Sequence, residues 1–342
     1  DNDPGRVERY RELCREKGLS EPFSTVDYRE LLARDLDAVI VSTTWNTHVP
    51  IAVAAMRAGK HVGIEVGGAL CEQDCWELVK TSEETGRFCM MLENCCYGDN
   101  ELTVFNMARQ GLFGEIVHAA GGYEHDLREQ IALGGEMRHG RMVNFLHRNG
   151  DLYPTHQLGP IAKLLNINRG NRILSVVSVA SKARGVHHWI EKNRPDDSEL
   201  MRADWKEGDV VTSILRCAGG ETIVLTHACT LPRPYSRDGR IQGTRGLWLE
   251  ERDAVFVEDD ASQTVSNPDG EHHWSPLSDY KAEYRHPLWV EYDRKGIAKE
   301  GHNDMDYLVL CAFADSLEYG EPPIDVYDTA TWMAVTYLSE QS

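Results

Sequence analysis

Residues 37–42 have the sequence DAVIVS, and this short apolar run decides the class of fold. A run without alternation is typical of a strand that is buried on both faces of a sheet. A loop is predicted over residues 43–47. On either side of it, strands and helices are predicted in alternation, with strands at 61–65 and 88–92 and helices at 28–34, 51–58, 71–84 and 102–109. This alternation predicts βαβ units and a parallel sheet covered by helices.

The pattern changes after about residue 119. Short β-rich segments, separated by turn residues, follow at 173–180, 210–217, 222–228, 246–250 and 254–257. They predict a largely antiparallel sheet. Helices are predicted at 160–165, 304–317 and 327–338, and the polar stretch 259–283 is predicted to be a long surface excursion. We therefore expect an α/β chain, with a parallel-sheet domain over 1–119 and an α+β domain over 120–342.

The two ends of the sequence suggest that the chain is a fragment. Asp3 is predicted to cap a helix that has Pro4 at its first position, runs through residues 7–17 and stops at Gly18. At the other end, residues 338–342 close an apolar-periodic helix without a stop signal. We expect truncation at both ends, with the first βαβ unit of the sheet missing. A secretion signal therefore cannot be assessed.

Composition excludes several classes of protein. Thirty-six basic residues against 55 acidic ones give a net charge of −19, which disfavours nucleic acid and anionic membranes as partners. No apolar run approaches the ~18 residues that a membrane helix needs. The nine cysteines are scattered, with no pairs at zinc-site spacing. We expect reduced, mostly buried thiols, no metal site and a reducing compartment such as the cytoplasm.

Polar side chains follow three of the predicted strands. Ligands bind beyond the carboxyl ends of strands in open parallel sheets, so these positions together predict one shared cofactor site. Each position alone would also fit an ordinary loop or turn. The three groups are Thr43, Thr44, Trp45, Asn46 and His48 after the first strand, residues 65–68 (EVGG) after the second, and Glu93 with Asn94 after the third.

The phosphate-cradling GxGxxG motif is absent from the sequence. That motif belongs on the first strand–helix turn, which a truncated chain would have lost. On this interpretation Asp1 would be the acidic residue after the second strand that binds the ribose hydroxyls. We expect the chain as it stands to bind a dinucleotide poorly.

A second concentration of chemically useful residues lies at 149–160, which has the sequence NGDLYPTHQLGP. It could be an ordinary helix start with Thr155 as the cap, or a ligand site. Tyr123 and His125, two residues apart, are expected on one sheet face. Arg141 and residues 232–237 (PRPYSR) could add hydrogen-bond donors to such a site, or they could lie in solvated loops. Tyrosine and arginine suit a polyhydroxylated ligand.

The segments at 37–43 and 58–62 resemble the Gfo/Idh/MocA-type oxidoreductases. This resemblance implies a Rossmann-type domain followed by a sheet domain for substrate binding and often for oligomerisation. Most of that superfamily has Glu-Lys-Pro after the second strand, whereas residues 65–67 are Glu-Val-Gly here. The Glu-Val pair is similar to glycoside hydrolase family 109, whose founding activity is an NAD-dependent α-N-acetylgalactosaminidase. The similarity continues through 122–128, 150–156, 181–182, 232–235, 243–246 and 301–306.

The resemblance to family 109 implies a set of functional residues. The implied NAD contacts are Asp1, Trp45, Asn46, Thr47, His48, Glu65, Val66 and Asn94. The implied substrate contacts are Tyr123, Arg141, Tyr153, Pro154, Thr155, His156 and Tyr235. Gln157 stands where the family usually has glycine.

The family's chemistry implies transient oxidation at sugar C3, elimination, water addition and re-reduction. His156 would act as the acid/base and Tyr153 as its partner at the C3 hydroxyl. We expect both to face the nicotinamide across one crevice.

Two other functions fit the same residues. One is a net-redox sugar dehydrogenase, which would accumulate NADH from free sugar, although the missing lysine counts against it. The other is a non-catalytic carbohydrate-binding relative that keeps the fold. A homo-oligomer formed through the sheet domain is expected under each function.

Overall fold

A computed structural model describes residues 1–137, 140–258, 273–297 and 302–342. The chain divides into two compact units. The first unit contains residues 1–92 and 312–330, and the second contains 93–311 and 331–342. This division differs from the boundary expected at residue 119, because the helix Asp99–Arg109 packs within the second unit against the helices Ser278–Tyr284 and Thr155–Leu164.

The first unit contains the predicted parallel sheet. Its elements are α1 (Pro4–Glu16), α2 (Tyr28–Leu32), β1 (Ala38–Val41), α3 (Trp45–Arg57), β2 (His61–Ile64), α4 (Glu72–Thr85) and β3 (Cys89–Met91). The strands pair in parallel in the order β1-β2-β3. We expected β1 to be buried on both faces. This prediction was wrong, because the Ile40 side chain is 51% exposed. Among the described residues, β1 pairs only with β2 and so lies at the edge of the sheet.

Two helix starts in the first unit show how local sequence determines structure. At α1, the Asp3 carboxylate accepts a hydrogen bond from the Gly5 N–H at 2.8 Å, which confirms the predicted cap. At α3, the helix begins at Trp45 and not at residue 51, because Thr44 takes the extended backbone of an N-cap. Pro50 lies inside α3, where its ring removes one backbone donor without ending the helix.

The second unit is built on the predicted, largely antiparallel sheet. Its strands are β4 (Ile116–Glu124), β5 (Ile173–Ala180), β6 (Val211–Cys217), β7 (Thr222–Ala228), β8 (Arg240–Gly243), β9 (Gly246–Leu249), β10 (Ala254–Val257) and β11 (Ser275–Pro276). They pair in the order β11-β10-β9-β8-β4-β7-β6-β5. Within this sheet, β4 with β7 is the one parallel pair among the described strands.

Helices accompany this sheet. They are α5 (Asp99–Arg109), α6 (Arg128–Ala132), α7 (Arg141–His147), α8 (Thr155–Leu164), α9 (Gly185–Asn193), α10 (Ser198–Arg202), α11 (Ser278–Tyr284) and α12 (Pro287–Lys295), with 3₁₀ turns at Asn94–Tyr97 and His302–Asp304. The last helices, α13 (Met305–Tyr319) and α14 (Val326–Gln341), contribute residues to both units. Part of the predicted surface excursion, 259–272, lies outside the described residues. The remainder forms β11 and α11.

One face of the β5–β6 ribbon is open. Val177, Val179 and Ile214 are 58%, 70% and 51% exposed, whereas Val211 and Leu215 on the other face of β6 are buried. All nine cysteines are free and most are buried, as predicted. None of the described helices is long and apolar enough to span a bilayer.

Candidate active site

His48 connects the ends of two strands in the first unit. Its ring is buried, with Nε2 2.8 Å from the Thr43 carbonyl oxygen and Nδ1 3.2 Å from that of Gly67. Burial lowers the pKa of His48, which favours the neutral ring. A neutral ring donates its single N–H to one of the two carbonyl oxygens. Its predicted role as a cofactor contact stays a prediction, and its contacts describe a positioning residue.

Gly67 and Gly68 let two side chains approach the loop after β2. Both have positive φ, at +79° and +109°. A Cβ on Gly68 would lie 2.6 Å from His48 Cβ, and one on Gly67 would lie 3.0 Å from Trp45 Nε1. Any side chain at these positions would therefore displace the ring of Trp45 or His48.

The other predicted cofactor residues of the first unit surround these loops. Trp45 and Thr47 are half-buried and Asn46 is exposed in the first turn of α3. After β2, Val66 is buried, and its N–H donates to Glu65 Oε2 at 3.3 Å. Asp1 precedes α1, where its carboxylate accepts a hydrogen bond from the Asp3 N–H at 2.9 Å.

Asn94 belongs to the second unit. Its amide donates to Asp306 Oδ1 at 2.7 Å, and His302 Nδ1 lies 2.7 Å from the other oxygen of Asp306. The amide of Asn94 is therefore held in a fixed orientation by a carboxylate. The prediction that the Tyr153–His156 bend faces the nicotinamide site stays a prediction, because its residues and most of the predicted cofactor contacts belong to different units.

The predicted substrate residues form one cluster of rings in the second unit. The Tyr123 ring centroid lies 4.5 Å from that of Tyr153, 5.3 Å from His156 and 6.1 Å from Tyr235. The Arg141 guanidinium lies over the rings of Tyr153 and Tyr123, at 4.9 and 5.6 Å. The structure thus brings together a cation, hydroxyl groups and flat ring faces.

The sequence grouped Glu93 with the predicted cofactor site and did not place it in this cluster. His156 Nδ1 lies 2.7 Å from Glu93 Oε1, and the Glu93 side chain is fully buried while that of His156 is 14% exposed. Burial opposes ionisation of Glu93, but the charge of His156 and hydrogen bonds from His156, Thr155 and the Cys95 N–H together lower the pKa of Glu93. The carboxylate accepts, so Nδ1 carries a proton and Nε2 is the nitrogen that can exchange one with a ligand.

Close packing at the start of α8 places His156 against Glu93. A Cβ on Gly159 would lie 2.9 Å from Glu93 Cγ and 3.0 Å from Cys96 Sγ, so glycine permits the close approach. The structure corrects two expectations here. Helix α8 begins at Thr155 and not at residue 160, and Pro154 holds the N-cap position. Thr155 is fully buried in the first turn.

Two arginines predicted as ligand donors are paired within the fold. Arg233 forms an ion pair with Glu124, and Arg237 pairs with Glu101 and lies 3.5 Å from Glu250. These contacts anchor the loop that carries Tyr235, which is half exposed. The role of Tyr235 as a substrate contact stays a prediction.

Comparison with known proteins identifies the family. A family model for the oxidoreductase family, NAD-binding Rossmann fold, matches residues 3–93, and one for the glycosyl hydrolase 109, C-terminal domain, matches 97–342. The chain belongs to glycosyl hydrolase family 109. The match also confirms the expected enzyme class, a glycosyl hydrolase on an NAD-binding oxidoreductase fold.

The relatives of this family 109 chain agree with that assignment. An α-N-acetylgalactosaminidase from Tannerella forsythia is 42% identical over 90% of this chain and 68% of its own length. A glycosyl hydrolase family 109 protein from Parabacteroides distasonis is 41% identical over 90% of this chain and 69% of its own length. An inositol dehydrogenase homologue from Azotobacter vinelandii, crystallised with NAD⁺, has the same fold. It has a TM-score of 0.71 and 19% identity, and the match covers all of this chain and 86% of that one.

A buried polar network supports the bend that carries Tyr153 and His156 in this family 109 chain. Glu207 Oε1 lies 3.1 Å from His227 Nδ1, and its Oε2 accepts the Gly150 N–H at 3.0 Å. Asp151 Oδ1 accepts the Tyr153 N–H at 3.3 Å. These acids and His227 are almost completely buried. The network fixes the backbone at both sides of residue 151.

We predict that Asp151→Asn removes a pH-dependent cost to stability. Burial raises the pKa of Asp151 to about 6, although His227 and the Tyr153 N–H oppose that shift. Glu207 and His227 are the titratable groups that face it. Between about pH 4 and 6 the folded chain holds a proton that the unfolded chain has released, so this residue costs stability as pH rises.

Relative to the parent, the Asp151→Asn chain should gain up to ~3 kcal/mol between pH 4 and pH 7, from about two units of pKa difference. Urea unfolding at a series of pH values measures this gain. A stability difference between the two chains that does not change with pH would contradict the prediction.

Proposed function

We propose that this chain is an NAD-dependent glycoside hydrolase that acts on N-acetylgalactosaminides or related glycosides. The observation that carries the proposal is the 2.7 Å contact between Glu93 and His156, beside the rings of Tyr123 and Tyr153. It supplies a proton-transfer group next to flat polar faces that suit a sugar. The relatives named α-N-acetylgalactosaminidase support the sugar class.

The strand ends of the first unit fit a nicotinamide dinucleotide. The glycines after β2 let Trp45 and His48 pack against this loop, and polar groups of the first turn of α3 lie beside it. Trp45, Asn46, Thr47, Glu65 and Val66 would hold the cofactor, with His48 positioning their loops, Asp1 at the ribose and Asn94 as a further contact. A bound NAD⁺ would supply reversible hydride transfer at sugar C3, so that a turnover would involve no net redox change.

The side chains of the second unit carry out the proton transfers. Tyr153 hydrogen-bonds the C3 hydroxyl, whose proton passes to solvent when C3 loses its hydride. The resulting ketone at C3 acidifies the hydrogen at C2. His156 removes that proton through Nε2, with Glu93 stabilising the imidazolium. The bond from C1 to the leaving group breaks as His156 passes its proton to the leaving group. Water then adds across the C1–C2 double bond, its hydroxyl to C1 and a solvent-derived proton to C2. Arg141, Tyr123 and Tyr235 orient the hydroxyl or acetamido groups meanwhile.

The test is turnover of nitrophenyl α- and β-N-acetylgalactosaminides in heavy water with added NAD⁺. We expect release of nitrophenol, deuterium at C2 of the product sugar and no accumulation of NADH. Hydrolysis with the C2 hydrogen retained would overturn elimination. Accumulation of NADH from free sugar would indicate the dehydrogenase instead. If the chain binds sugar with the same affinity with and without NAD⁺ and shows no turnover, it is a non-catalytic carbohydrate-binding protein.

We propose in addition that a second copy of the chain covers the open face of β5 and β6. Its exposed valines and Ile214 form an apolar stripe that a symmetric partner would bury. The mass in solution, measured by light scattering, tests this, and a monomer at all concentrations would contradict it.

A further inference from the structure

The thiol of Cys95 lies beside the acid/base pair, and the proposed reaction gives it no task. A carboxylate oxygen of Glu93, a ring nitrogen of His156 and Cys95 Sγ all lie within 4.8 Å of one another. Glu93 and Cys95 are buried, whereas His156 is partly open to solvent. We propose that these three side chains form a binding site for a zinc-like divalent cation, and that a bound cation blocks proton transfer by His156.

The ligand set selects the class of cation. A thiolate sulfur, an imidazole nitrogen and a carboxylate oxygen together suit Zn²⁺ and similar borderline-soft ions, whereas Mg²⁺ and Ca²⁺ prefer oxygen ligands only. Three protein ligands leave one position of a tetrahedral ion open to water or to a bound molecule. The site therefore has the composition of an open zinc site, not of a closed structural one.

The surroundings hold the three ligands at a fixed spacing. Glu93 Oε2 has no hydrogen-bond partner of normal geometry among the described residues, and the nearby Thr155 hydroxyl is the group that a cation would compete with for this oxygen. Cys95 Sγ donates a hydrogen bond to Asn94 Oδ1 at 3.5 Å, and cation binding would replace that contact. Glu93 Oε1 accepts the Cys95 N–H at 3.1 Å, which fixes the 3₁₀ turn that carries both residues. The close packing at Gly159 fixes α8, and with it His156, against that turn.

Binding of the cation changes no oxidation state, so it needs no redox partner. The cation displaces one proton, from the thiol, into solvent. The imidazole stays neutral, with its remaining proton on the ring nitrogen that does not bind. Bonds from the cation to Glu93 and His156 replace the hydrogen bond between them. The imidazole then has neither its carboxylate partner nor freedom to exchange protons, so the cation acts as an inhibitor.

Co²⁺ titration of the whole chain, followed by absorption, tests the site. We expect a thiolate-to-cobalt charge-transfer band that saturates at one equivalent per chain and disappears when Zn²⁺ is added. Cys95→Ser should abolish the band and weaken Zn²⁺ binding by at least ~100-fold, the upper end of what a lost supporting group costs a metal site. Cys96→Ser, which alters the neighbouring thiol, is the matched control and should leave both unchanged.

His156→Gln keeps the thiol but loses a ligand, so it should also weaken Zn²⁺ binding and covers the case in which the Cys95 variant misfolds. A band that survives in Cys95→Ser, or the absence of saturable binding in the parent chain, would overturn the site. The absorption readout needs no turnover. A failure of the hydrolase proposal would therefore leave the cobalt signal intact, whereas a failure of the metal site would leave hydrolysis insensitive to Zn²⁺.

Discussion

The Glu93→Gln chain is expected to hydrolyse glycosides about 10²- to 10⁴-fold more slowly than the parent, the range that general acid–base catalysis contributes. Glutamine keeps the size of the buried side chain but removes the negative charge that faces His156 Nδ1 at 2.7 Å. Without that charge, nothing at this position stabilises the imidazolium that forms when Nε2 takes a proton. The tautomer of the neutral ring is also no longer fixed.

The measurement is kcat and kcat/KM on a nitrophenyl glycoside. We expect His156→Ala to show a loss of similar size, and the double variant to be no slower than the slower single variant, because the two residues act as one unit. The exposed carboxylate of Glu129, on α6, provides the control variant Glu129→Gln, which should keep the parent rate. Losses that multiply in the double variant, or a Glu93→Gln chain with more than about a tenth of the parent rate, would contradict the pairing.

The sequence predicts most of the regular structure, because the patterns that mark it are local. The strands Thr222–Ala228 and Ala254–Val257 begin and end where apolar content and turn residues place them. The strand Arg240–Gly243 was missed, since four residues with an arginine and a glycine carry too little alternation. The starts of α3 and α8 were placed too late, and Pro50 and Pro160 both lie inside their helices.

The same contrast between local and long-range information applies to the candidate site. Tyr153 and His156 lie in one short motif, so their proximity follows from the sequence. Glu93 stands 63 residues away from His156, and the sequence shows its type and strand-end position but not its partner. The charged pairs of Arg233 and Arg237 form across strands and helices, so these side chains resembled free donors. Pairings of this kind depend on tertiary structure, which residue spacing does not encode.

Removal of the imidazole at His227 is expected to cost about 3–5 kcal/mol of unfolding free energy, the range measured when one partner of a buried pair is lost. His227 and Glu207 are each 1% exposed at the side chain and lie 3.1 Å apart. Burial raises the pKa of Glu207, while the neighbouring Cys229 and Glu207 overcome burial and raise the pKa of His227. Both shifts favour a shared proton, so the pair carries no net charge inside the unit.

His227→Ala leaves Glu207 either as an unpaired buried carboxylate or as an acid that must take up a proton at neutral pH, and both outcomes disfavour the folded state. Urea unfolding at pH 7 measures the loss, and His188→Ala, at a side chain that is 72% exposed, should change stability by less than ~0.5 kcal/mol. Adding Glu207→Gln to His227→Ala should recover part of the loss, because an amide is less costly to bury than a charge. A His227→Ala chain that loses less than ~1 kcal/mol, or a double variant that loses more than the single one, would show that the pair does not anchor the fold beneath Tyr153 and His156.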